Sequence, residues 1–177
     1  MRDIAQAADL SAANLYHYFE GKHDLLAYCQ TRALDRMLEA VSTVRLTDAS
    51  SADRLRSVLA AHVRTLLDDI EGATAHLQID SLPPAMRDAI VRKRDRYEQG
   101  LRRMIVEGMK AGELVDMDPA VVARAMLGAM NWTVTWFRPE GPDTAAAVGD
   151  VISRFLVRGV AARTPAARRT LSMVRSS

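Results

Sequence analysis

Apolar residues recur three and four positions apart along most of this chain, the spacing that lines one face of a helix. Ile4, Ala5 and Ala8 share a face over residues 1–8. Asp9, Leu10 and Ser11 interrupt that pattern, and Ser11 is a good N-cap for a short helix through Phe19, which Gly21 closes. A third helix is predicted from about Lys22 to Arg45, with Leu25, Leu26, Cys29, Ala33, Met37, Val41 and Val44 on its stripe. After a polar connector, a fourth runs from about Ala52 to Ile70 on Leu55, Val58, Leu59, Val63, Leu66 and Leu67, and Gly72 ends it. A short helix or turn covers Ala73 to Ser81. Pro83 and Pro84 open a long helix to Lys110, because a first turn does not use the N–H that proline lacks. Gly112 is its stop. Asp118 caps the next helix, with Pro119 at its first position, and the apolar spacing carries it through Trp136. Arg138 to Pro142 breaks the chain before a final helix from about Asp143 to Ala162. The tail from Arg163 to Ser177 holds four arginines and Pro165, and reads as loosely ordered.

Composition agrees with that pattern. The 177 residues are 49% apolar and only 5% aromatic, rich in Ala, Leu, Met, Arg and Glu, so the expected fold class is all-α. The 24 basic and 22 acidic residues leave a net charge of +2, which excludes a chain coated with nucleic acid along its whole length. A local basic surface is still allowed. One cysteine, Cys29, excludes an internal disulfide framework and a Cys-rich metal site. His17, His23, His62 and His76 are scattered without ligand spacing. No paired nucleophile and base and no phosphate loop is found. The expectation is a cytoplasmic protein that is not an enzyme, has no cofactor and does not enter a membrane.

The chemistry concentrates at the N-terminus. Two short helices around a three-residue turn form the unit that places a helix in a DNA major groove. Ser11, Ala12, Ala13 and Asn14 occupy the first turn of the second helix, where small residues let the backbone come close to the bases. Asn14 suits an adenine edge, and Ala12 or Ala13 a thymine methyl. Tyr16, His17 and Tyr18 offer donors to phosphate, and Lys22 opens the next helix, where its charge and the helix dipole both favour phosphate. Leu15 and Phe19, four apart, read as core.

The run from Arg2 to Leu26, with Arg2-Asp3-Ile4-Ala5, Leu10-Ser11, Leu15-Tyr16, Tyr18-Phe19, Lys22 and Leu25, closely resembles the DNA-binding signature of the TetR family of bacterial regulators. The resemblance implies that Ser11 to Asn14 are base-proximal and that Tyr16, His17, Tyr18 and Lys22 contact the DNA backbone. Two positions depart from the family pattern: Asp9 and Ala13 stand where glycines are usual. Family members carry a further helix before the position of Arg2, so the chain as written is expected to lack the first helix of the unit and to bind DNA more weakly for it.

The same resemblance implies the remaining organisation. Residues 1–44 are expected to form the DNA-binding unit with its connecting helix, 45–162 a helical effector-binding and dimerisation domain, and 163–177 a basic tail. The last two helices would pair with their twins, so that a homodimer reads a palindromic operator in double-stranded DNA. Val148, Ile152, Phe155 and Leu156 are the expected dimer stripe, with Ala125, Gly128 and Ala129 allowing close approach.

The stretches Glu107–Leu114 and Asn131–Pro139 are similar to regulators of fatty-acid and sterol catabolism, several of which respond to acyl-CoA. That implies a repressor released by a small apolar effector. Candidate pocket residues are Met104, Met126 and Met130, with Met109 beside them and Trp132 and Trp136 as aromatic walls. Arg92, Lys93, Arg94, Arg96, Arg102 and Arg103 could meet phosphate, but Asp88, Asp95 and Glu98 lie at helical spacing from them and favour a solvated ion-pair face. The alternatives are a helical ligand-binding or interaction protein without effective DNA binding, and a small helical enzyme. The residues leave open the operator, the effector and the sign of regulation.

Overall fold

The computed structural model describes residues 17–68 and 79–162. The expected helix over residues 1–8, most of the Ser11-capped helix and the tail lie outside them. The described fold is all-α, with helices α1 (Lys22–Val44), α2 (Ser51–Leu67), α3 (Pro84–Lys110), α4 (Pro119–Asn131), α5 (Thr133–Trp136) and α6 (Ala145–Val160). A 3-10 turn at Ile79–Ser81 precedes α3.

The helix ends follow from caps that the sequence carries. Ser50 Oγ accepts from the Asp53 N–H at 3.1 Å and starts α2, while the Glu113 carboxylate accepts from the Ala52 N–H at 2.8 Å. Asp118 accepts from the N–H groups of Ala120 and Val121 and starts α4 ahead of Pro119. Thr144 caps α6 through the Ala147 N–H. Gly112 sits at φ +70, the left-handed conformation that stops α3, and the N–H groups of Glu113 and Leu114 both fold back onto the Gly108 carbonyl.

One expected element is divided. The helix starting at Pro119 stops at Asn131, and α5 resumes at Thr133. The apolar spacing continues through the break, so periodicity could not reveal it. The hydroxyls do: Thr133 Oγ1 donates to the Met130 carbonyl at 2.7 Å and Thr135 Oγ1 to the Trp132 carbonyl at 2.7 Å. Such back-bonding from threonine bends helices.

Helix α2 is the centre of the core. Leu55, Val58, Leu59 and Val63 have no exposed surface, and α2 packs against α6, α1, α3 and α4. Helices α2 and α6 approach closely at Gly149. A Cβ there would lie 3.0 Å from the Ala60 carbonyl oxygen, so a side chain would push the two backbones apart. Helix α6 presents Ala145, Val148, Gly149, Ser153 and Val157 to this interface. Val148, expected on the dimer stripe, is therefore a core residue of its own chain.

Candidate functional site

The N-terminal end of the described chain presents polar groups outward. His17 and Tyr18 lie in helical backbone and are exposed, Tyr18 at 76%. Their rings meet edge to face at 5.2 Å. Phe19 turns back, half-buried against Tyr28 at 5.3 Å between ring centroids. Gly21 then caps α1, whose first residue, Lys22, lies exposed at the helix N-terminus. Asp24 accepts from the Glu20 N–H at 3.3 Å, tying the preceding turn to α1. Ser11, Ala12, Ala13, Asn14 and Tyr16 lie outside the described residues.

A cavity of about 270 Å³ opens among four helices. Helix α1 contributes Leu34 and Met37, α2 His62, α3 Arg94, Tyr97 and Glu98, and α4 Leu127 and Asn131. Its polar centre is His62, wholly surrounded by protein. His62 Nε2 lies 3.1 Å from Asn131 Oδ1, an acceptor, and in the tautomer that satisfies this pair Nε2 donates. Nδ1 is then an acceptor, and the Tyr97 hydroxyl donates to it at 3.1 Å. Burial lowers the His62 pKa to about 4, against a smaller raising effect of the Asn131 hydrogen bond. Burial likewise raises the Tyr97 pKa far above its ordinary value. Both groups are neutral at physiological pH.

The charged groups of the lining are engaged with protein. The Arg94 guanidinium donates to Gln30 Oε1 at 3.2 Å; burial lowers its pKa and the nearby Asp80 carboxylate opposes that shift. Glu98 accepts from Arg102 and pairs with Arg124 at 3.4 Å. A second cleft, about 540 Å³, carries Arg45, Arg96 and Arg103 with Glu39 along α1 and α3. At 100° per residue, Arg96, Gln99 and Arg103 fall on the opposite face of α3 from Arg94, Tyr97 and Glu98. The two spaces lie on opposite sides of that helix. Ion pairs of Lys93 with Asp35 and of Arg45 with Glu107 continue the charged face that the sequence suggests.

The expected pocket residues do not line this cavity. Met104, Met126 and Met130 are buried core, absent from the cavity lining. Met109 is partly buried against the core. Trp132 and Trp136, the expected aromatic walls, are exposed, Trp132 at 67%. At 100° per residue both continue the exposed face of α4 that carries Ala125 and Gly128. With Val121 they mark the outer side of α4 and α5, where Ala125, Gly128 and Ala129 are also exposed. On α6 the exposed stripe is Val151 and Phe155, the latter at 74%, flanked by half-buried Ile152 and Leu156. Sequence reasoning missed His62, Tyr97 and Asn131 as a group. The signal available was a histidine and a tyrosine inside apolar stripes, since buried polar groups need partners.

Known proteins resemble both ends of this arrangement. Residues 48–160 match the family model described as Tetracyclin repressor-like, C-terminal domain. Residues 1–29 match that of bacterial regulatory proteins, tetR family. The chain belongs to the TetR family. Its members are transcriptional regulators, and this chain is one by membership. Among its relatives, the HTH-type transcriptional repressor KstR2 of Mycobacterium tuberculosis is 25% identical over 165 residues, covering 90% of this chain and 82% of KstR2. The crystal structure of PfmR from Thermus thermophilus, a TetR family transcriptional regulator, is 33% identical with a TM-score of 0.77, covering 89% of this chain and 86% of PfmR. AibR, in complex with isovaleryl coenzyme A and operator DNA, is 25% identical with a TM-score of 0.63, covering 90% of this chain and 85% of AibR. Among the described residues of this TetR-family chain, no group of three or more His, Cys, Asp or Glu could hold a metal ion. No described helix is long and apolar enough to cross a membrane.

Proposed function

We propose that this regulator is a repressor in the bacterial cytoplasm that binds a palindromic operator as a homodimer and is released by a small apolar effector seated in the His62–Tyr97–Asn131 cavity. One observation carries the reading. Helix α1 begins inside the segment that matches the DNA-binding family model and lines the cavity at Leu34 and Met37. An occupant that favours one position of α1 therefore has a direct lever on the reading head, as ligand-shifted equilibria require. The domains are then 1–44 for DNA reading and 45–162 for effector and partner, with α1 contributing to both. Ser11, Ala12, Ala13 and Asn14 read bases, and Tyr16, His17, Tyr18 and Lys22 hold phosphates.

Leu34, Met37 and Leu127 give the cavity an apolar body, and its polar corner suits one functional group, the usual make-up of a small-molecule site. An acyl group, as in a CoA thioester, matches that pattern, and AibR was crystallised with such a compound. The twin subunit would cover Val121, Trp132, Trp136, Val151 and Phe155, with Ile152 and Leu156 at the edge. Exposed aromatic side chains of this size are unusual on a monomer surface and common at interface centres.

Fluorescence anisotropy with labelled DNA from upstream of the protein's own gene tests this reading. Palindromic DNA should bind with an affinity that falls linearly on a log–log plot against salt, and short-chain acyl-CoA should reverse it. Equal affinity for palindromic and scrambled DNA would favour a helical ligand-binding protein without operator recognition.

A further inference from the structure

The polar corner of the cavity has a fixed hydrogen-bond direction. The Tyr97 side chain is 2% exposed and its hydroxyl keeps its proton, which has His62 Nδ1 within 3.1 Å. The opposite arrangement would have Nδ1–H donate to the Tyr97 oxygen and leave that nearly buried hydroxyl proton without a protein acceptor, which is costly. The order is therefore Tyr97 O–H to Nδ1, then Nε2–H to Asn131 Oδ1. This uses the acceptor end of Asn131. The Asn131 amino group has no hydrogen-bond partner among the described residues, and the half-buried Asn131 side chain lines the cavity beside apolar Leu34, Met37 and Leu127. The charged neighbours, Arg94 and Glu98, are engaged with Gln30, Arg102 and Arg124.

We infer that the Tyr97–His62–Asn131 relay presents the Asn131 Nδ2–H pair to the effector, so that the cavity selects ligands with a carbonyl-type acceptor oxygen on an apolar chain: ketones, esters or acyl thioesters. The inference rests on the cavity being the effector site. Tyr97 is a positioning residue: it sets the His62 tautomer, and the tautomer sets which end of Asn131 faces inward. Met37 and Leu34 hold the alkyl part, and Asn131 reads the oxygen. A ligand offering only N–H donors at that point meets another donor.

Two uncharged probes of similar shape separate these ideas: 2-hexanone, which has a carbonyl, and 2-methylhexane, which does not. Binding to the full chain is followed by the methyl NMR signals of Leu34, Met37 and Leu127. In the wild type both probes should shift these signals. Asn131→Leu should weaken 2-hexanone about tenfold or more while leaving 2-methylhexane unchanged or tighter. Tyr97→Phe should weaken 2-hexanone less, and nitrogen-detected NMR of the His62 ring should show the Nε2–H form giving way to a mixture. That last readout does not move if Tyr97 merely fills space. If neither probe shifts the three methyl groups, the cavity is not the effector site and the inference falls with it. If both bind and Asn131→Leu affects them equally, the cavity stands and the acceptor selection is wrong.

Discussion

Replacing His62 tests the core and the site together, because His62 is a neutral histidine that is buried and borders the cavity. Its pKa of about 4 in the folded protein compares with 6.5 for an ordinary histidine. Between those values the unfolded chain binds a proton that the folded chain does not. Stability must therefore rise with pH across this window and fall as the solution is acidified from 6.5 towards 4. The difference of about 2.5 pKa units corresponds to about 3 kcal/mol lost by pH 4, at ~1.4 kcal/mol per unit. That is a large share of the ~5–15 kcal/mol stability of a typical domain. The assay is urea denaturation of wild type and His62→Gln at a series of pH values between 7.5 and 4.5. Gln keeps a polar side chain facing Tyr97 and Asn131 but does not titrate. Subtracting the two curves removes every other titrating group. The wild type should lose about 2–3 kcal/mol more than the variant over this range. Parallel curves would show that His62 is not buried and neutral in the folded state, and would remove the basis for its tautomer.

Three further perturbations test the packing and the surfaces. Gly149→Ala should lower stability by about 1–2 kcal/mol in thermal unfolding, because its Cβ would meet the Ala60 carbonyl at 3.0 Å and overpacking outweighs the helix preference of alanine. Phe155→Glu should convert the proposed dimer to a monomer in light scattering with an unchanged helical circular-dichroism spectrum, because Phe155 is 74% exposed and contributes little to its own chain's core. Lys22→Ala should weaken all DNA sequences alike and lower the salt slope by about one counterion, as loss of a phosphate contact does.

Helix existence was legible because the apolar stripes and their caps agree. Asp118-Pro119, Gly112 and Pro84 each stand at an end that the structure confirms. The break at Trp132 was hidden because Val134 and Trp136 continue the apolar spacing, and the threonine back-bonds beside it carry no periodic signal. Pocket residues were hidden for a different reason. A methionine on a helix stripe looks the same whether it fills the core, as Met126 does, or borders a void, as Met37 does. Only the relative rotation of α1, α3 and α4 decides between them. The His62 relay joins residues 35 and 69 positions apart, a distance over which one sequence gives no pairing information. Val148 and Val151 show the same limit on the outer face. Both are apolar and three apart on α6, yet the buried face is centred on Gly149, and Val148 lies about 100° from it and Val151 about 200°.

The central claim is that occupancy of this cavity governs operator binding through α1. Leu127→Trp, which would fill the space beside Asn131 with protein, tests it most directly when compared with wild type for acyl-CoA-induced release of operator DNA. The wild type should release DNA as acyl-CoA is added, and the variant should stay bound at the same concentrations, or sit permanently in the released state without further response. Equal, full release from both proteins would contradict the account, because the effector would then be acting from somewhere other than this cavity.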